Sequence, residues 1–236
     1  IMGLPKLDTP TYRLNLPSTG EEIQYRPFLV KEQKLLMMAQ ESEDDQQVID
    51  TVGNLVNSCT FEKLDSGSAP LFDIEYVFLQ IRGKSIGEKI ELNLICPDDE
   101  KTTVPKEVDI NDIEVQMSVE HTNEVQITDT VKLFLKYPIL NDMKKIANDS
   151  SQVEQVFEVL TQCVHEIHFG EQIFHRIDIT EKDINEFIDQ LTGEQFEKII
   201  NFFNTMPKLR HVIPITNPKT KVKSEVVVEG LASFLG

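Results

Sequence analysis

The 236-residue chain carries 40 acidic and 23 basic side chains, a formal net charge of −17 at neutral pH. That balance excludes a nucleic-acid duplex or an anionic membrane as the main partner, because phosphates repel an acidic surface; it leaves a well-solvated surface or a basic protein partner. An apolar content of 40% is enough for one large or two small cores.

No run of about eighteen apolar residues marks a membrane span, and no charged-then-apolar leader opens the sequence. Cys59, Cys96 and Cys163 are odd in number and far apart, which gives no disulfide framework. A reducing, cytoplasmic setting is the expectation.

Residues 11–28 predict a β-hairpin. Tyr12, Leu14 and Leu16 alternate with polar residues, Ser18-Thr19-Gly20 supplies the turn, and Ile23 and Tyr25 alternate on the return before Pro27 ends the strand. A helix follows over Lys31–Gln40. After the acidic run Glu41–Asp45, a second helix runs to about Cys59, with Val48, Val52, Leu55 and Val56 at helical spacing. Asp65–Pro70 reads as a loop.

The most informative stretch is Leu71–Arg82, closed by Gly83-Lys84-Ser85-Ile86-Gly87. At 3.6 residues per turn its apolar residues make two faces: Leu71, Ile74, Val77, Phe78 and Ile81 on one, Phe72, Tyr76 and Leu79 on the other. The strips Glu75/Arg82 and Asp73/Gln80 divide them. A helix apolar on two sides is buried on two sides, either within its own chain or with one side against a partner.

After Gly87 the period changes to two. Ile90, Leu92 and Leu94 alternate up to a turn at Cys96-Pro97-Asp98-Asp99. Extended segments follow around Thr103–Val108, Val115–Val119, Val125–Ile127 and Val131–Leu135. Pro138 suits the first turn of a helix reaching about Ala147. Ser151 and Glu154 form a capping-box pattern ahead of Val153, Val156, Phe157, Leu160 and Val164. Ile173–Ile179 reads as extended. Thr180 and Thr192 read as N-caps of two amphipathic helices, the second stopped at Met206-Pro207. A final hairpin spans His211–Ile215, Asn217-Pro218-Lys219-Thr220 and Val222–Val228, with a short helix at Leu231–Leu235. The predicted class is α+β: helical, bundle-like parts, β-hairpins at both ends and a β-rich middle. The predicted parts are 1–86, 87–136 and 137–236.

Chemical motifs are incomplete. A P-loop needs a glycine five residues before Gly83, where Phe78 stands, and it precedes a helix instead of following one; a helix-ending glycine with a cationic neighbour accounts for Gly83-Lys84-Ser85. His165-Glu166-Ile167-His168 lacks the i, i+4 histidine pair of a helical zinc protease, because Phe169 holds that place. His165, His168 and His175 meeting around a metal is the alternative reading, as a metal-binding enzyme or a metal-stabilised domain. Cys96 with Asp98, Asp99 and Glu100 is half a metal knuckle at a turn. No catalytic residue, cofactor or metal ligand is assigned.

Leu4–Tyr12, residues 16–34, Asn57-Ser-Cys-Thr60, Phe72–Gly87 and Asn217-Pro-Lys-Thr220 together resemble the baseplate hub proteins of T4-like contractile-tailed bacteriophages, especially the marine cyanophage branch. The resemblance covers nearly the whole chain and rests on the combination of segments. It implies a non-enzymatic role as a minor hub subunit or a hub assembly factor. It also implies other hub proteins as partners, with no nucleic acid or membrane, and a location in the host cytoplasm during assembly or in the virion tail. Phe72, Glu75, Tyr76, Leu79 and Arg82 are the predicted partner-binding set.

Overall fold

The computed structural model describes residues 7–42, 44–145 and 151–234. In chain order the elements are β1 (Tyr12–Asn15), β2 (Glu22–Tyr25), α1 (Val30–Glu41), α2 (Asp45–Cys59), α3 (Leu71–Ile86), β3 (Lys89–Ile95), β4 (Thr103–Asp109), β5 (Glu114–Gln116), β6 (Glu124–Gln126), β7 (Val131–Leu135), α4 (Leu140–Met143), α5 (Gln152–Cys163), β8 (Val164–Phe169), β9 (Gln172–His175), α6 (Glu181–Ile188), α7 (Gly193–Thr205), β10 (Lys208–Thr216) and β11 (Lys223–Glu229). Short 3-10 turns lie at Ile110–Asp112 and Leu231–Phe234. The class is α+β, as the alternating periods predict.

The elements form two compact units, 1–116 with 208–236, and 117–207. The expected middle part, 87–136, is shared between them: β3, β4 and β5 belong to the first unit, β6 and β7 to the second. The cause is a long-range strand pairing. β5 pairs antiparallel with β10, with Gln116 opposite Lys208, so the second unit leaves and re-enters the first at neighbouring positions.

In the first unit, β1 and β2 pair with Leu14 opposite Ile23 and Tyr12 opposite Tyr25. Helix α3 lies between two layers. Leu79 packs into a cluster with Ile90 and Leu92 of β3, Val108 of β4, and Leu209 and Ile213 of β10. The opposite face, Ile74, Val77, Phe78 and Ile81, is fully buried, and α2 packs on α3 with its own buried Val52, Leu55, Val56 and Cys59. Each such side chain contributes about 1.5–3 kcal/mol relative to exposure. Gly83 does not end the helix. Its missing side chain admits Ile110, whose Cδ1 would lie 3.4 Å from an added Cβ, and the helix runs on to Ile86 before Gly87 stops it at φ +122°.

The second unit is a four-stranded antiparallel sheet, ordered β6-β7-β8-β9, with a core shared by α5, α6 and α7. Registers align Val125, Leu133, Ile167 and Phe174 in one row across all four strands. The predicted caps form: Ser151 with Glu154, Thr180 with Asp183 and Thr192 with Gln195 each exchange capping-box hydrogen bonds. The expected helix from Pro138 is a single turn at Leu140–Met143, and its predicted end at Ala147 lies outside the described residues, as does Leu235. His165–His168 lie on a strand, not a helix, because α5 ends at Cys163 and the alternation of β8 begins there.

Candidate interaction surface

Helix α3 is fixed to its surroundings by polar contacts at both ends. Near its start the carboxylate of Asp73, 1% exposed, accepts from the Ser18 N–H at 3.0 Å and from the Ser18 hydroxyl, holding the β1–β2 turn. Burial pushes this carboxyl above the usual range, with the two Ser18 bonds pulling the other way. At its end, Ser85 donates to the Ile81 carbonyl and accepts from the Phe28 N–H at 2.9 Å. Lys84 pairs with Glu88 and lies 5.4 Å from the Tyr12 ring centroid. The Gly-Lys-Ser triplet thus serves packing, capping and hairpin docking.

The predicted partner-binding residues separate by depth. Phe72 and Leu79 are buried in this chain, at 4% and 0% exposure. Glu75, Tyr76 and Arg82 are partly exposed, with Tyr76 against the β-cluster. Burial lowers the Arg82 pKa, and Nη1 of this guanidinium is buried with no hydrogen-bond partner among the described residues. A donor left in that state costs about 1–3 kcal/mol.

The Cys96 turn has a structural use that the sequence did not announce. Asp99 accepts from the Lys101 and Thr102 N–H groups and closes the β3–β4 turn. Asp98 accepts from Asn217 Nδ2 at 3.1 Å on both oxygens and from the Thr220 hydroxyl. Those two donors hold the Asp98 carboxyl below the usual range, Thr220 first. Asn217 is fully buried, and its Oδ1 accepts from the N–H groups of Lys219 and Thr220. The β3–β4 and β10–β11 tips are therefore joined by the Asn217 amide and the Thr220 hydroxyl, both on Asp98. Asn217-Pro-Lys-Thr220 carried part of the family resemblance, but nothing in spacing pointed to Asp98.

His165, His168 and His175 do come together, around a carboxylate. Glu166 receives His168 Nε2 at 2.8 Å and His175 Nδ1 at 3.0 Å, with His165 Nε2 3.9 Å away. The His168 bond, with help from His175, holds the Glu166 carboxyl below its usual range. Among the described residues no group of three or more His, Cys, Asp or Glu side chains is placed to hold a metal ion. That removes the support for the metal-site alternative. The strand register explains the arrangement, since Glu166 and His175 are cross-strand partners and His168 is two residues along on the same face.

All three cysteines are buried free thiols, and burial pushes Cys163 up to about 12, which makes it a poor nucleophile. Among the described residues no helix is long and apolar enough to cross a membrane.

No match was found among curated proteins or among solved structures. A sequence profile described as T4 bacteriophage base plate protein matches residues 9–236, which takes in both units, and the chain therefore belongs to that family of phage baseplate proteins.

Proposed function

We propose that this chain acts in the baseplate hub through protein–protein contacts, as a minor hub subunit or as a factor that brings the hub together. The observation that carries this reading is the extent of the family match. It runs through α3, both hairpin tips and the whole second unit, so the shared property is the entire fold and not a transplanted motif. The partners are other baseplate hub proteins, and the places of action are the host cytoplasm during assembly and the tail baseplate.

The contact we assign includes the Glu75, Tyr76 and Arg82 strip of α3, backed by Phe72 and Leu79. Support comes from Arg82, a half-buried cation whose Nη1 donor is unsatisfied among the described residues, on an otherwise well-packed helix. Positions that break a local rule without a structural gain are where function is expected. Co-expression with each hub protein of the same phage, followed by affinity capture, tests the proposal, with Arg82→Met as the diagnostic variant. Capture of a hub protein by the wild-type chain and its loss in folded Arg82→Met supports the assignment. Equal capture by both removes Arg82 from the contact. Fixed stoichiometry in purified virions identifies a resident subunit, and absence from virions combined with failed hub assembly in a deletion identifies an assembly factor.

A further inference from the structure

We infer that the open edge of β9 is a self-association site, at which a second copy of this chain adds its own β9 antiparallel across a two-fold axis at Phe174. This does not depend on the hub reading. β9 is the last strand of its sheet and pairs only with β8 among the described residues. The Arg176 N–H donates to the His165 carbonyl at 2.9 Å, and the register pairs His175 with Glu166, Phe174 with Ile167 and Ile173 with His168. In an antiparallel ladder, hydrogen-bonded and non-bonded pairs alternate. Phe174 therefore bonds to β8, while the N–H and C=O groups of Ile173 and His175 face the open edge. The His175 carbonyl already takes one bond, from Asp178 N–H, and has a second lone pair.

Those two residues are spaced to pair with themselves. With the axis at Phe174, Ile173 of one copy meets His175 of the other, and each pair exchanges two backbone bonds. Phe174 then faces Phe174 of the second copy in a non-bonded pair, where side chains approach most closely. The row Val125, Leu133, Ile167, Phe174 is 7%, 0%, 8% and 40% exposed. It is a core row left unfinished at its last member, and the second Phe174 completes it.

Charge selects this edge for like-to-like contact. Two copies at −17 each repel over most of their surfaces. Phe169–Ile177 holds one carboxylate, Glu171, and one guanidinium, Arg176. In the proposed register Arg176 faces Gln172 and Glu171 faces Ile177, so no like charges are opposed. Phe169, Ile173 and Ile177 are half or more exposed, and the strand carries neither lysine, proline nor a bulge to discourage pairing. The contact is small, and a dissociation constant on the order of 10–100 µM is expected of it.

Sedimentation velocity of the full chain from about 1 to 200 µM reads the association directly, that span bracketing the expected affinity. A concentration-dependent dimer is expected. Ile173→Pro removes an edge-facing N–H and none that bonds to β8, and Phe174→Asp places two carboxylates on the axis. Loss of the dimer in a variant whose circular dichroism matches wild type supports the site; Phe174→Asp decides if Ile173→Pro fails to fold. A wild-type chain that stays monomeric at 200 µM overturns the inference and leaves the edge for a strand of another protein. So does a dimer that survives Phe174→Asp.

Discussion

Arg82 is the residue at which stability and function are expected to conflict. Replacing it by methionine keeps an unbranched aliphatic stem and removes the buried Nη1 donor that has no hydrogen-bond partner among the described residues. Arg82→Met is expected to raise stability by about 1 kcal/mol, read as a higher urea midpoint, while weakening partner capture. A loss of stability would mean that the guanidinium holds the fold together. Asn217→Ala should act in the opposite direction. It opens the junction between two hairpin tips and leaves turn N–H groups unmet, at a cost of about 1–3 kcal/mol; an unchanged thermal midpoint would show that water replaces the amide. Asp73 gives a pH signature. Its carboxyl pKa is raised by burial, so the folded state holds the proton more tightly than the unfolded chain. Its contribution is complete below the ordinary value of 3.8 and is lost as pH rises through the folded value. Wild type should therefore gain stability relative to Asp73→Asn on going from pH 7 to pH 4. The lowered carboxyls of Glu166 and Asp98 act oppositely, losing their contribution as pH falls, and comparison with Asp73→Asn cancels them.

At the scale of elements, α3 responds differently along its length. Phe78 is fully buried, and Phe78→Ala should cost about 3–5 kcal/mol, measured by chemical denaturation. Gly87 stands at φ +122°, ψ 151°, a region used almost only by glycine, so Gly87→Ala should cost about 1–3 kcal/mol. Gly83→Ala should be neutral or a gain of up to about 1 kcal/mol, since helix propensity improves and Ile110 stays at contact distance; Gly83→Leu would collide with Ile110. The two-faced burial of this helix was legible because period and polarity agree over four turns. So were both terminal hairpins and three helix caps, where the signal lies within a few neighbouring residues. The strand at His165–His168 was not assigned from the sequence because its residues fit either period and the end of α5 carries no glycine or proline. Asp98 with Asn217 was invisible, since the partners are 119 residues apart and both sit in sequences that explain themselves as turns. Among the predicted contact residues, depth was not legible in the sequence: Phe72 and Leu79 are buried in this chain, Leu79 against strands β3, β4 and β10, whose positions only the folded chain reveals.

For the whole molecule, the pairing of Gln116 with Lys208 decides the organisation. Replacing 117–207 by a two-residue Asn-Gly turn should leave the first unit folded, because the strands that flank the cut are already hairpin neighbours. A cooperative thermal transition in the shortened protein is the expected result; a chain without one would show that the first unit depends on the second. The same pairing sets an order of events during synthesis. The second unit is one uninterrupted segment and can close as soon as it leaves the ribosome. The first unit needs β10, β11 and Phe234, which emerge afterwards. Until then the Leu79 side of α3 has Ile90, Leu92, Val108 and Ile110 to pack against but still lacks Leu209, Ile213 and Phe234, so the nascent chain holds a finished domain and a partly closed core at the same time.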